Sequence, residues 1–134
     1  MKILAFLLSL IIALLTGCES PYDSYPRDNL LIDNFNTKKE IFLKLESDLQ
    51  NHQLITSLGI SRAYVGSALY AEYEVWKWDL MGVGGCSKGY VYSQRLISPL
   101  VESIDATTTP CGPEQGNWIR RIEGKWYLYY RASN

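Results

Sequence analysis

Apolar residues cluster at helical spacing in the first half of the chain and alternate with polar ones at strand spacing in the second. An unbroken apolar run from Ile3 to Leu15 comes first. From Glu19 to Asn29 there follow prolines, charges and small polar residues with no apolar period. The cluster Leu30, Leu31, Ile32 and Phe35 then precedes Thr37 and Glu40, whose spacing is that of a capping box, so a helix is expected to start at Thr37. Ile41, Phe42, Leu45 and Leu49 share one face of that helix, while Lys38, Lys39, Glu46 and Asp48 lie largely elsewhere. Leu54, Ile55 and Leu58 rotate off the apolar face. The helix therefore bends or ends near His52, a boundary residue, and Gly59 terminates the segment beyond it.

From Ala68 to Leu80 the pattern admits helix or strand, and the alternation of Tyr70, Glu72, Glu74, Trp76 and Trp78 against Leu69, Ala71, Tyr73 and Val75 selects strand. Gly82, Gly84 and Gly85 make a bend, Gly89 to Ser93 a second strand and Leu100 to Asp105 a third. Residues Thr107 to Gly116 form a long polar loop. The chain then closes on a hairpin, Trp118 to Ile122 and Lys125 to Arg131, turned by Glu123-Gly124. A two-residue loop there puts Trp118 opposite Tyr129, Arg120 opposite Tyr127 and Ile122 opposite Lys125. Ile119, Arg121, Trp126, Leu128 and Tyr130 then face the core. Trp118, Arg120, Tyr127 and Tyr129 make an aromatic and cationic binding surface. The expected architecture is α+β, with the N-terminal amphipathic helix packed on a four- to five-stranded antiparallel meander sheet.

The opening run changes where the chain is expected to reside. Lys2 supplies a positive start, the apolar run is too short for a spanning helix of about 20 residues, and Thr16 and Gly17 are small residues before Cys18. Leu15-Thr16-Gly17-Cys18 resembles the lipobox of bacterial lipoproteins. That resemblance, confined to residues 1–18, implies a signal peptide over 1–17 and a lipid on Cys18 as the mature N-terminus. It also implies a membrane partner reached through that lipid. Two or three acyl chains, as such proteins generally carry, hold a membrane stably at about 0.8 kcal/mol per buried methylene. Glu19, where proteins retained in the inner membrane often carry Asp, favours the outer membrane, facing the periplasm. Residues 18–29 read as a lipidated tether reaching on the order of 35 Å when stretched, and residues 30–134 as one domain.

Loss of Lys2 with the signal takes the formal net charge from −1 to about −2, and opposite charges are interspersed, so nothing marks a nucleic-acid partner. Of three cysteines, Cys86 and Cys111 remain as an even pair in an exported chain, which reads as a disulfide. No C-x-x-C spacing exists, and His52 is the single histidine, so no metal or other cofactor is expected.

His52 has no catalytic signature around it, which argues against nucleophilic catalysis. Gly82-Val-Gly-Gly-Cys lacks the Lys-Ser or Lys-Thr of a phosphate loop, and Asp28, Asp33 and Asp79 have no calcium-loop spacing. Glu72 and Glu74 share a strand face about 7 Å apart, the one arrangement that suggests a peptidoglycan-acting glycoside hydrolase. Solvated strand charges account for them more simply. The leading expectation is a non-enzymatic lipoprotein binding a protein or cell-wall component through its aromatic sheet face, an inhibitor or immunity protein being one form of it.

Overall fold

The computed structural model describes residue 20, residues 23–79 and residues 84–133. The lipobox residues and the tip of the glycine bend lie outside them. Helix α1 spans Asp28–Thr37, α2 Lys39–Leu45 and α3 His52–Ser57. Strands β1 (Arg62–Ser67), β2 (Tyr70–Asp79) and β3 (Gly85–Ser93) follow, then the short helix α4 (Ile104–Thr107) and strands β4 (Gly116–Glu123) and β5 (Trp126–Ser133). The fold is α+β. All strand pairs are antiparallel and the order in the sheet is β1-β2-β3-β5-β4.

That order corrects the expected meander. Trp126, Tyr127, Leu128, Tyr129 and Tyr130 are all buried, so β5 needs cover on both faces and occupies an inner position beside β3. β4 is left at the edge.

The helical layer also differs from expectation. A helix already begins at Asp28, because Leu31 and Phe35 are one turn apart and both point into the core, where Phe35 meets Phe42 at 4.8 Å between ring centroids. Thr37 is the last residue of α1, and Lys38 is the hinge into α2 with no side-chain cap, so the Thr37–Glu40 capping box does not form. His52 does stand at a boundary, as the first residue of α3, where Asn51 caps the helix by accepting from the Leu54 N–H at 3.1 Å. Polar contacts help to pin the layer to the sheet: the hydroxyls of Tyr90 and Tyr73 donate to the carbonyls of Leu31 and Leu49, and Trp126 Nε1 donates to Glu46 Oε1.

The stretch expected as strand from Ala68 to Leu80 is strand from Tyr70 to Asp79, β2, with Ala68 and Leu69 in the turn before it, but its partner β1 was not anticipated. The expected strand from Leu100 to Asp105 is absent. Ser103 instead caps α4, accepting from the Ala106 N–H at 3.1 Å. The segment before it crosses the sheet's second face, with Ile97 packed over Val91, Tyr127 and Tyr129 and the Val101 N–H bonded to the Ile119 carbonyl.

The hairpin register is shifted by one residue. Glu123 pairs with Trp126, Gly124 takes φ 58° in the turn, and a bulge between Arg121 and Glu123 makes Ile122 the extra residue. Below the bulge Arg120 faces Leu128 and Trp118 faces Tyr130. A one-residue slip exchanges the two faces of a strand, so Trp118 and Arg120 join the helix-covered face while Ile119 and Arg121 join Tyr127 and Tyr129. Cys86 and Cys111 are disulfide-bonded, with Cα atoms 5.5 Å apart.

Candidate functional site

The second face of the sheet carries a groove built by strand register. Tyr64 lies opposite Glu72, Arg62 opposite Glu74, Gly89 opposite both Glu74 and Tyr129, and Ser87 opposite Arg131. All of these residues therefore project to one side. A β-bulge between Glu74 and Trp76 brings the Tyr73 carbonyl so close to Gly89 that a Cβ there would collide with it. Position 89 must be glycine, because the Tyr73 backbone occupies the space that a side chain would take. The resulting groove, of about 450 Å³, is lined by Tyr64, Tyr70, Glu72, Glu74, Ser87, Tyr129 and Arg131, with Val65 and Gly66 at one end. Ser87 and Arg131 also border an adjoining hollow of about 500 Å³ that runs toward Lys77 and Asp79.

Its charges are largely fixed. Arg131 Nη2 meets Glu72 Oε1 at 2.8 Å, the Tyr70 hydroxyl donates to the same oxygen at 2.6 Å, and Arg131 Nε donates to Asn117 Oδ1 at 2.7 Å. The Arg131 guanidinium also lies 5.5 Å over the Tyr129 ring. Burial pushes the Glu72 carboxyl up, but Arg131 and Tyr70 outweigh it and hold it below its ordinary range. Tyr129 moves the other way: burial and the neighbouring Glu74 and Glu72 carboxylates raise its phenol, which stays protonated at neutral pH. Glu74 is 7 % exposed. These two carboxylates are therefore not the solvated strand charges expected of them.

A second cluster of charges lies in the core. Lys88 is fully buried, with its ammonium 2.7 Å from Asp28 Oδ1, 2.9 Å from Asp105 Oδ1 and 3.1 Å from the Tyr25 hydroxyl. Asp28 Oδ1 has no well-aligned hydrogen bond, and its partner is this close ammonium. Asp28 Oδ2 meets Arg120 at 2.9 Å and accepts from the Ile104 N–H at 2.8 Å. Burial would raise the Asp28 carboxyl, but Lys88, Arg120 and the Ile104 N–H hold it below its usual value. With every member tied to the others, the cluster joins α1, β3, α4 and β4.

The four residues expected to form a binding surface are not brought together. Trp118 packs on Tyr130 with centroids 5.5 Å apart, and Arg120 is tied to Asp28 on the helix-covered face. Tyr127 is 1 % exposed under Ile97, and only Tyr129 contributes to the groove. The bulge at Ile122 is the physical reason for this split. Sequence reasoning missed Tyr64 because it missed β1, whose signal, Arg-Ala-Tyr-Val-Gly-Ser, is a short alternation at an exposed edge. It missed the Lys88 cluster because Lys88 falls just before the strand expected from Gly89 to Ser93, whereas β3 already starts at Gly85. Among the described residues no His, Cys, Asp and Glu group is placed to hold a metal ion, and no helix is long and apolar enough to cross a membrane. No protein-family model matches the chain, nor does any curated protein or any solved structure.

Proposed function

We infer that the chain is a non-enzymatic, lipid-anchored binding domain of the bacterial envelope. Cys18 carries the anchor, the outer membrane is its site, and the periplasmic domain holds a protein or envelope component in the groove on the sheet's second face. The observation that supports this reading is the pre-ordered polar lining of that groove. A concave surface of about 450 Å³ has its Glu72–Arg131 pair and Tyr70 hydroxyl locked by mutual hydrogen bonds, with half-exposed Tyr64 and Tyr70 at the rim. Side chains already fixed lose little entropy on binding. Inhibition of a toxin or of a wall-degrading enzyme is one activity that such a domain performs.

The alternative, a glycoside hydrolase using Glu72 and Glu74, asks both carboxylates to flank a sugar in a deep cleft. They line a groove open along the sheet, and Glu72 Oε1 is bonded to both a guanidinium and a phenol. A photocrosslinking residue at Tyr64, on the rim, tests the binding reading in cells. A discrete adduct that disappears with Arg131→Ala is the expected result. Adducts from neither Tyr64 nor Tyr70, together with peptidoglycan hydrolysis that stops in Glu72→Gln, would establish the enzyme instead.

A further inference from the structure

Glu74 is the charge in the groove lining that no hydrogen bond or salt bridge holds in place. Among the described residues neither a hydrogen-bond donor nor a cation bonds its carboxylate, although the residue is 7 % exposed. The natural candidate is Arg62, directly opposite on β1. Its Nη1 donates to the Tyr64 hydroxyl at 3.1 Å, and it acts on Glu74 through space without forming a salt bridge. Arg131 is committed to Glu72 and Asn117. The groove lining thus holds two carboxylates and one guanidinium, which leaves it with a net negative charge centred on Glu74. The carboxylate oxygens open onto the groove with no bonded partner, so a cation that enters the groove meets this charge directly.

The walls suit such a cation. Tyr129 is held protonated beside Glu74, and Tyr64 and Tyr70 stand 46 % and 36 % exposed at the entrance, so aromatic surface flanks the route to the carboxylate. Aromatic walls with one buried anion at the base match a monocation on an apolar stem, and match an anion or a neutral sugar poorly. Resting on the binding-domain reading above, we propose that the groove receives a lysine or arginine side chain of a protein partner. Its ammonium or guanidinium pairs with Glu74 and its stem lies between Tyr64 and Tyr70.

The test uses the full chain in detergent micelles, with amide shifts of Glu72, Glu74, Ser87 and Tyr129 followed by NMR. Nα-acetyl-lysine methylamide and its arginine counterpart are the probes, and Nα-acetyl-norleucine methylamide is the neutral isostere. Saturable shifts confined to the groove are expected with at least one cation and not with norleucine. Glu74→Gln should weaken that binding at least tenfold, Tyr64→Ala several-fold, and Glu114→Gln, on an exposed loop, not at all. Absence of saturation with both cations, equal binding of norleucine, or unchanged binding in Glu74→Gln overturns the proposal. Should Glu74→Gln lose the dispersed spectrum of the folded chain, the Tyr64→Ala result decides, since that ring is half exposed. Failure here is separable from failure of the binding reading: a Tyr64 adduct that persists in Glu74→Gln removes the cation site and keeps the binding domain.

Discussion

Lys88 shows how one residue can hold a small fold together and still be a liability. Its ammonium has no access to water and depends on Asp28, Asp105 and Tyr25 for its stability in the core. Replacing such a group with an apolar one of similar shape is often tolerated, whereas removing one partner leaves a buried charge exposed to the low dielectric. Asp28→Ala should therefore cost about 3–5 kcal/mol in urea unfolding, since Lys88 and Arg120 both lose their contact. The same carboxylate carries a pH signature. Its folded-state pKa lies below the unfolded value of about 3.9, so its contribution is fully present above that value and is lost as the pH falls through the folded pKa. The drop in unfolding free energy between pH 7 and pH 3 should accordingly be smaller in Asp28→Asn than in the parent chain. An equal drop would show that Asp28 is not held ionised by the cluster.

At the scale of the element, the β4–β5 hairpin separates what apolar pattern reveals from what it conceals. Trp126, Leu128 and Tyr130 are core residues, as their alternation required, because β5 itself runs without interruption. The faces of β4 were not legible, since the bulge at Ile122 leaves no mark in residue type, and one extra residue exchanges every face below it. Tyr127 and Tyr129 were misread for another reason. Their cover comes from Ile97, on an irregular segment with no period, so the sequence carried no sign that the second face of β5 is buried. The groove was half legible: Glu72 and Glu74 were recognised as sharing a face, but their wall on the unanticipated β1 was missing. Truncation energies test these assignments. Trp126→Ala and Tyr127→Ala should both cost about 3–5 kcal/mol in thermal or urea unfolding, because each ring is 1 % exposed, while Tyr64→Ala should stay within about 1 kcal/mol. A mild Tyr127→Ala would mean that Ile97 does not seal that face.

Across the whole molecule, two staples close a domain that is small for its burden of polar core groups. The Cys86–Cys111 disulfide ties β3 to the long connection before β4 across a separation of 25 residues, worth about 3.5 kcal/mol in the loop-entropy model. Reduction should lower the unfolding free energy by roughly that amount, and unreduced denatured protein should not react with a maleimide at either cysteine. The other staple is the N-terminal strap. Residues read from the sequence as tether are part of the core: Tyr25 is 7 % exposed, packed edge-on against Trp76 at 5.1 Å, and Ser24 accepts from Trp76 Nε1 at 3.1 Å. If Cys18 carries lipid, only residues 19–23 lie between it and this strap, which shortens the reach from on the order of 35 Å to on the order of 20 Å. The domain would then work against the membrane surface rather than clear of it. The boundary itself can be tested by truncation. A chain beginning at Asp23 keeps Tyr25 over Lys88 and Asp28 beneath it, so it should unfold at the same urea concentration as the full domain. A chain beginning at Leu30 loses two of the three partners, Tyr25 and Asp28, of a lysine that stays buried. Its stability should fall by at least about 3–5 kcal/mol, a large share of the 5–15 kcal/mol typical of a whole domain. Equal midpoints for the two truncations would return residues 23–29 to the tether.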